Sequence, residues 1–224
     1  MMDSNIIYKY FPDLTGEQKQ QIDALEGLYS DWNSRINVIS RKDMDCFYLH
    51  HVLHSLAIAR FLKEFLPELD SRMNAGGISA MDVGCGGGFP GIPMAILYPK
   101  AEFLLVDSIG KKVKVAQAVA DAVGLKNVTT LHARAEEVKL KEHIHKDKAD
   151  LIISRAVTSL ANFIPWVKGR YTEGILYLKG GNLEEEIAEA IKKCRMRPSQ
   201  IFQKDISDWF SEEYFQEKKV LLIK

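Results

Sequence analysis

A run of small residues, Asp82-Val83-Gly84-Cys85-Gly86-Gly87-Gly88, directly follows the short apolar stretch Ile78 to Val83. Glycines after a strand tolerate positive φ and let a ligand approach the main chain closely. A second carboxylate, Asp107, closes the next apolar stretch, Glu102 to Val106. In that position a carboxylate can accept both hydroxyls of a ribose. Ala135 and Glu136 follow a third stretch, Asn127 to Leu131. An adenine could lie there between apolar atoms and backbone polar groups. Position alone equally allows a surface helix start with a solvated Glu136. These residues together describe a site for an adenosine-bearing cofactor.

Two cofactors compete for that site. Gly86-Gly87-Gly88-Phe89-Pro90-Gly91 is a literal G-x-G-x-x-G, so a nicotinamide dinucleotide has to be weighed. The tight-turn glycine is Gly84, however, and Phe89 occupies the position where the last glycine of a dinucleotide loop would fall. A carboxylate at Asp82 would attract the ammonium and sulfonium of S-adenosylmethionine and repel a diphosphate. The reading adopted is S-adenosylmethionine. A dinucleotide and a ligand-free glycine turn are the alternatives.

The elements that must position these residues alternate β and α. Ile78 to Val83, Glu102 to Asp107, Asn127 to Leu131, Asp150 to Ile153 and Gly174 to Leu178 read as strands. Helices are predicted from Pro93, over Lys111 to Val123 with Gly124 as terminator, over Leu160 to Lys168 and over Leu183 to Lys193. Ile201-Phe202 and Val220 to Ile223 could close the sheet as an antiparallel pair. The alternation predicts an α/β, doubly wound, Rossmann-like sheet of about seven mostly parallel strands. Residues 1–75 read as a helical extension, and residues 76–224 as the cofactor-binding domain. Thr15 to Gln18 fits a capping box, followed by an apolar stripe of Ile22, Leu25, Leu28, Tyr29 and Trp32. Asp43 is expected to cap a second helix running to Pro67, with Asn74 to Gly77 as linker.

Composition narrows the class. The 224 residues carry 30 Lys and Arg against 30 Asp and Glu, so any surface for nucleic acid must be a local patch. No apolar run approaches a membrane span of roughly 18 residues. Met1 to Asn5 lacks a signal-peptide pattern. Cys46, Cys85 and Cys194 are far apart, so neither disulfides nor zinc are expected, and a cytoplasmic location is. His50 and His54 share helical spacing, but no carboxylate ligand is evident from the sequence, so they read as packed histidines and no metal is expected.

Three segments carry a family resemblance: Asp82 to Pro93 with its Phe89-Pro90-Gly91-Ile92-Pro93 tail, Val106 to Lys112, and Ile153-Ser154-Arg155-Ala156. They resemble the bacterial RsmG (GidB) family of 16S ribosomal RNA guanine-N7 methyltransferases. Leu14-Thr15, Trp32-Asn33, Asn37-Val38 and His51 to Ser55 are similar to the helical extension of that family. The resemblance implies a class I S-adenosyl-L-methionine methyltransferase. Its substrate would be 16S rRNA or a small-subunit ribosomal particle, methylated on one guanine (guanine 527 in the usual numbering of that RNA). A monomer acting on RNA, not on DNA or at a membrane, is expected. Carried over by matched motif, Asp82, Gly84, Gly86, Phe89, Asp107, Ala135 and Glu136 become cofactor residues. Arg155 becomes the active-site arginine and a cofactor contact. Cys85 and Gly87 replace residues that are often Thr, Ser or Pro in the family, and His54 stands where Asp is common.

The chemistry agrees with an N7 acceptor. That nitrogen offers an in-plane lone pair, so methyl transfer to it requires alignment and no general base. Enzymes acting on exocyclic amines often place Asn or Asp-Pro-Pro-aromatic after the fourth strand, where this chain has Ser154 to Val157. Pro-Cys, common in cytosine-C5 enzymes, is absent from the sequence. Arg155 could meet an RNA phosphate, the cofactor carboxylate or the guanine edge, or form a plain surface salt bridge. Lys111, Lys112 and Lys114, with Arg35, Arg41 and Lys42, are candidates for the basic surface. A small-molecule methyltransferase, a nicotinamide oxidoreductase and a non-catalytic RNA-binding assembly factor remain as other readings.

Overall fold

The structure is a computed structural model that describes residues 3–224, without the side chains of Arg41 and Lys42. Its centre is a seven-stranded sheet of order β3-β2-β1-β4-β5-β7-β6. The strands are β1 (Ser79–Val83), β2 (Glu102–Asp107), β3 (Val128–His132), β4 (Ala149–Arg155), β5 (Tyr171–Gly180), β6 (Ile201–Asp205) and β7 (Lys218–Ile223). β1 to β5 run parallel, and β7 is antiparallel to both β5 and β6. The closing pair is therefore antiparallel as expected, with the later strand inserted between its neighbours. This is the α/β Rossmann-like architecture.

Strand residues alternate between two cores, as the two-residue period of a strand requires. Ala80, Phe103, Leu105, Leu151, Ile153 and Leu176 face one layer. Met81, Leu104, Val106, Ile152, Ile175 and Tyr177 face the other. The first layer holds α1 (Asn5–Tyr10), α2 (Gly16–Asn33), α4 (His54–Phe65), α6 (Gly91–Leu97) and α7 (Gly110–Ala122). The second holds α8 (Leu140–Ile144), α9 (Leu160–Val167) and α10 (Glu184–Cys194). Ile22, Leu25 and Tyr29 of the predicted stripe belong to the same core as the sheet face. The helical extension thus packs directly onto the α/β layer.

The capping box forms: Gln18 N donates to Thr15 Oγ1 at 3.2 Å, and Thr15 N donates to Gln18 Oε1 at 2.9 Å. The helix expected from Asp43 to Pro67 does not run unbroken. Ser40, not Asp43, caps the four-residue α3 (Arg41–Met44), its Oγ accepting Asp43 N at 3.2 Å. A wide π turn over Tyr48–Leu53 then leads into α4. Pro67 ends nothing. It sits in the first turn of a further helix, α5 (Pro67–Ala75), where its missing N–H costs no hydrogen bond.

Candidate active site

A cavity of about 460 Å³ opens at the carboxyl ends of β1, β2 and β4. This lies within the roughly 300–1,000 Å³ of small-molecule sites. It occupies the switch point where the chain turns from β1–β2 to β4, the usual ligand position in such sheets. Gly84, Gly86, Phe89, Asp107, Ala135, Glu136 and Arg155 all line it, so the structure gathers seven of the eight expected residues.

The glycine loop leaves β1 through Gly84, with φ of 72°, and Gly86, with φ of 56°. Gly84 N and Cys85 N donate to Val106 O at 2.8 and 3.1 Å, which ties the loop to the end of β2. A side chain at Gly84 would collide with Val157, whereas a Cβ on Gly86 would meet nothing within 4 Å. The backbone is thus bare where a ligand would lie. Asp107 accepts Gly86 N on Oδ2 and Ile109 N on Oδ1, both at 2.8 Å. Each carboxylate oxygen keeps a second lone pair. Ala135 is buried, and the turn carrying it is held by Arg170, which donates to Glu136 O and, at 2.6 Å, to Val138 O. These features fit an adenosyl cofactor: bare backbone at Gly86, a carboxylate at Asp107 for the ribose, and the buried Ala135 on the cavity wall for the base.

Arg155 ends β4 on the far wall of the cavity. Its guanidinium donates to His50 O at 3.0 Å and contacts His51 Nδ1 at 2.9 Å. It also lies over the Phe89 ring, 5.3 Å from the centroid. Among the described residues no carboxylate comes within ion-pair distance of it, so the surface salt bridge is set aside. Burial lowers the pKa of the guanidinium below its ordinary value.

The chain matches the model of the GidB family, rRNA small subunit methyltransferase G, over residues 18–208. It belongs to that family. It is 49% identical to the ribosomal RNA small subunit methyltransferase G of Bacteroides fragilis, across 97% of this chain and 98% of that protein. The protein of the same name from Porphyromonas gingivalis is 46% identical, across 98% of this chain and 93% of its own length. Among solved structures, TrmN from Thermus thermophilus is similar at 17% identity and a TM-score of 0.49, over 75% of this chain and 48% of that one.

In this GidB-family chain the helical extension also reaches the site, which sequence reasoning missed. Tyr29 Oη donates to Gly87 O at 2.7 Å. Val38 lines the cavity, with its Cβ 3.1 Å from where a Cβ on Gly87 would stand. Asn33 holds that segment by accepting Val38 N and Ile39 N and donating to Ile39 O. Trp32-Asn33 and Asn37-Val38 were legible as family-like positions, but nothing in their spacing announced a contact with the glycine loop. His54 is buried, its Nδ1 3.1 Å from Tyr214 Oη, and burial pushes its pKa well below the usual value. Among the described residues no group of His, Cys, Asp and Glu is gathered that could hold a metal ion.

Asp82 requires a correction. It is the one expected cofactor residue that does not reach the cavity wall. It is fully buried beneath the loop, where Oδ2 accepts Gly91 N at 2.7 Å and Oδ1 meets no donor among the described residues. Burial pushes its pKa up to about 8, against the opposing pull of the Gly91 N–H. The carboxyl is therefore largely protonated near neutrality, and the charge attraction assigned to it from the sequence is weak. Its position makes it a tether between β1 and the start of α6. The unfolded chain releases this proton near 3.8, the folded chain only near 8. Between those values the folded state binds more protons, so this group lowers stability as pH rises. Asp82→Asn keeps an acceptor for Gly91 and removes the titration. Its melting temperature should rise relative to wild type between about pH 5 and pH 8. A constant difference across that window would mean that Asp82 is ionised in the fold.

Proposed function

We propose that this chain transfers a methyl group from S-adenosylmethionine to N7 of one guanine in 16S ribosomal RNA, acting as a monomer on the RNA or on a small-subunit particle. The observation that carries this reading is the pairing of the cavity lined by the glycine loop, Asp107, Ala135 and Glu136 with Arg155 at the end of β4, a guanidinium with no carboxylate partner among the described residues. The names of the curated relatives support the ribosomal RNA substrate. The division into residues 1–75 and 76–224 is retained as a proposal, with the extension lending one wall to the site through Val38.

The cofactor, when bound, supplies an electrophilic methyl group on a sulfonium. The residues of this chain align it and leave proton transfer out of the reaction. Asp107 would hold the ribose hydroxyls, the turn at Ala135 and Glu136 would hold the adenine, and the bare backbone at Gly86 would allow the cofactor close approach. The acidic side chains on the cavity wall, Asp107 and Glu136, stand on the cofactor side, which suits an acceptor that needs no base. The direct test is mass-spectrometric mapping of methylated guanines in 16S RNA from cells with and without this gene. An identical guanine profile in both would overturn the reading.

Lys111 and Lys112 open α7 at the cavity rim; Lys112 lines the cavity, and neither belongs to any ion pair among the described residues. The side chains of Arg41 and Lys42, named with them from the sequence, lie outside the described part. Replacing both lysines with Gln should weaken RNA binding and lower the slope of log affinity against log salt by about 1.5. In Lys111→Gln alone, which is not on the cavity wall, affinity for S-adenosylmethionine should stay near wild type. An unchanged salt slope would place the patch off the RNA path.

A further inference from the structure

Arg155 is held in an unusual way. It is half-buried in the cavity wall, a setting in which a guanidinium is ordinarily matched by a carboxylate, because an uncompensated charge is costly where water is partly excluded. Here both side-chain and main-chain partners are neutral: the carbonyl of His50 at 3.0 Å and the Nδ1 of His51 at 2.9 Å. Both come from the π turn Tyr48–Leu53, a widened turn of the kind often found at functional sites. Tyr214 steadies it from outside, with its ring stacked on His50 at 4.0 Å and 18°. His51 is wedged between Phe47 and Phe89, at centroid distances of 6.0 and 5.2 Å. The nearby acid on this side, Asp43, is engaged with His50 at 3.0 Å and Ser40 at 2.6 Å. The full positive charge of Arg155 is left on the cavity wall.

We propose that His51 is a positioning residue that holds Arg155 without neutralising it, so that the guanidinium receives an anionic oxygen of the bound substrates. The proposal rests on the methyl-transfer reading above. Two sources carry such an oxygen: the carboxylate of S-adenosylmethionine and a phosphodiester of the RNA. A guanidinium has five donors, and the two contacts to the π turn leave others free for a bidentate grip. His51 can serve only as a neutral ring, since a protonated Nδ1 could not accept. Burial, followed by the charge of Arg155, pushes its pKa down to about 3, which keeps the ring neutral at physiological pH.

The test uses the geometry of the acceptor. In His51→Asn the amide oxygen stands as many bonds from Cα as Nδ1 does, so the neutral acceptor is kept. His51→Asp puts a carboxylate in the same place and cancels the charge of Arg155. Two binding measurements are made on the whole protein: calorimetry with S-adenosylmethionine, and filter binding of a 16S RNA transcript over a salt series. H51N should bind both within about threefold of wild type, and H51D should lose at least about tenfold for one of them. Loss of cofactor affinity with an unchanged RNA salt slope assigns the oxygen to the cofactor carboxylate. Loss of RNA affinity, with a slope lower by about 0.7–0.9, assigns it to a phosphate. Wild-type binding of both by H51D would overturn the proposal, as would equal losses in H51N and H51D, which would mean packing and not charge. Should H51D fail to fold, H51N and H51L decide: retention in the first with loss in the second supports the role, and equal binding overturns it. A wild-type protein that binds both but transfers no methyl group would count against the function proposed above and leave this assignment standing, because both readouts are binding.

Discussion

Arg155→Ala should lose at least about tenfold in single-turnover methylation of 16S RNA at saturating cofactor, equivalent to roughly 1.4 kcal/mol of transition-state stabilisation. The direction follows from charge. In the proposed reaction the acceptor ring would take on the positive charge that the methyl donor gives up, so a cation aimed at the ring would oppose it. Arg155 is therefore useful on an acceptor atom: the guanine O6, a neighbouring phosphate or the cofactor carboxylate. Its setting supports positioning of that kind. The guanidinium plane is fixed by His50 O, His51 Nδ1 and the Phe89 ring, and no carboxylate competes for its free donors among the described residues. Arg155→Lys should recover little, since an ammonium cannot contact the π turn and grip a substrate oxygen with the planar fork. Both variants should keep the fold, because the strand carrying position 155 is anchored by Ser154 Oγ to Val83 O at 2.7 Å and by pairing with β1 and β5. A wild-type rate in Arg155→Ala would remove the residue from the active site.

What could be read from the sequence follows from how local each signal is. The five parallel strands were legible because each is a short apolar run bounded by glycine or a polar turn, and Thr15 was legible because a capping box spans only four residues. The order of β6 and β7 in the sheet was not, since nothing local says which of two C-terminal strands pairs with β5. The helix α5 was hidden because Pro67 reads equally as a stop and as a first-turn residue. The site divides in the same way. Gly84, Gly86, Phe89 and Asp107 lie in consecutive loops of the β-α pattern, so their spacing places them. Tyr29, Val38 and His51 join the site across long stretches of chain and look like core residues in sequence. Asp82 shows the opposite failure. Its position at the loop was right, but burial decides whether a carboxyl is charged, and burial was not visible in the spacing.

Asp107→Ala should weaken S-adenosylmethionine binding by roughly 1.5–3 kcal/mol, the range for hydrogen bonds to a charged group. Asp107 stands at the end of β2 and lines the cavity. Each oxygen already accepts one backbone N–H, from Gly86 and from Ile109 at 2.8 Å. The alanine variant therefore loses two things: the acceptors for a ribose diol, and the clasp that sets Gly86 against the end of β2. Asp107→Asn separates them in part. Its single oxygen can keep the Gly86 contact, but the amide turns a donor toward Ile109 N and leaves one acceptor fewer for the ribose. Its affinity should fall between wild type and alanine. Calorimetry with S-adenosylmethionine measures both, and titration with methionine, which lacks the ribose, separates their causes. If the diol contact dominates, methionine binding is insensitive to Asp107→Ala; if the clasp dominates, it falls in step with the cofactor. Unchanged affinity for S-adenosylmethionine in Asp107→Ala would take the residue out of the site, and tighter binding of NAD by the wild-type chain would overturn the cofactor assignment itself.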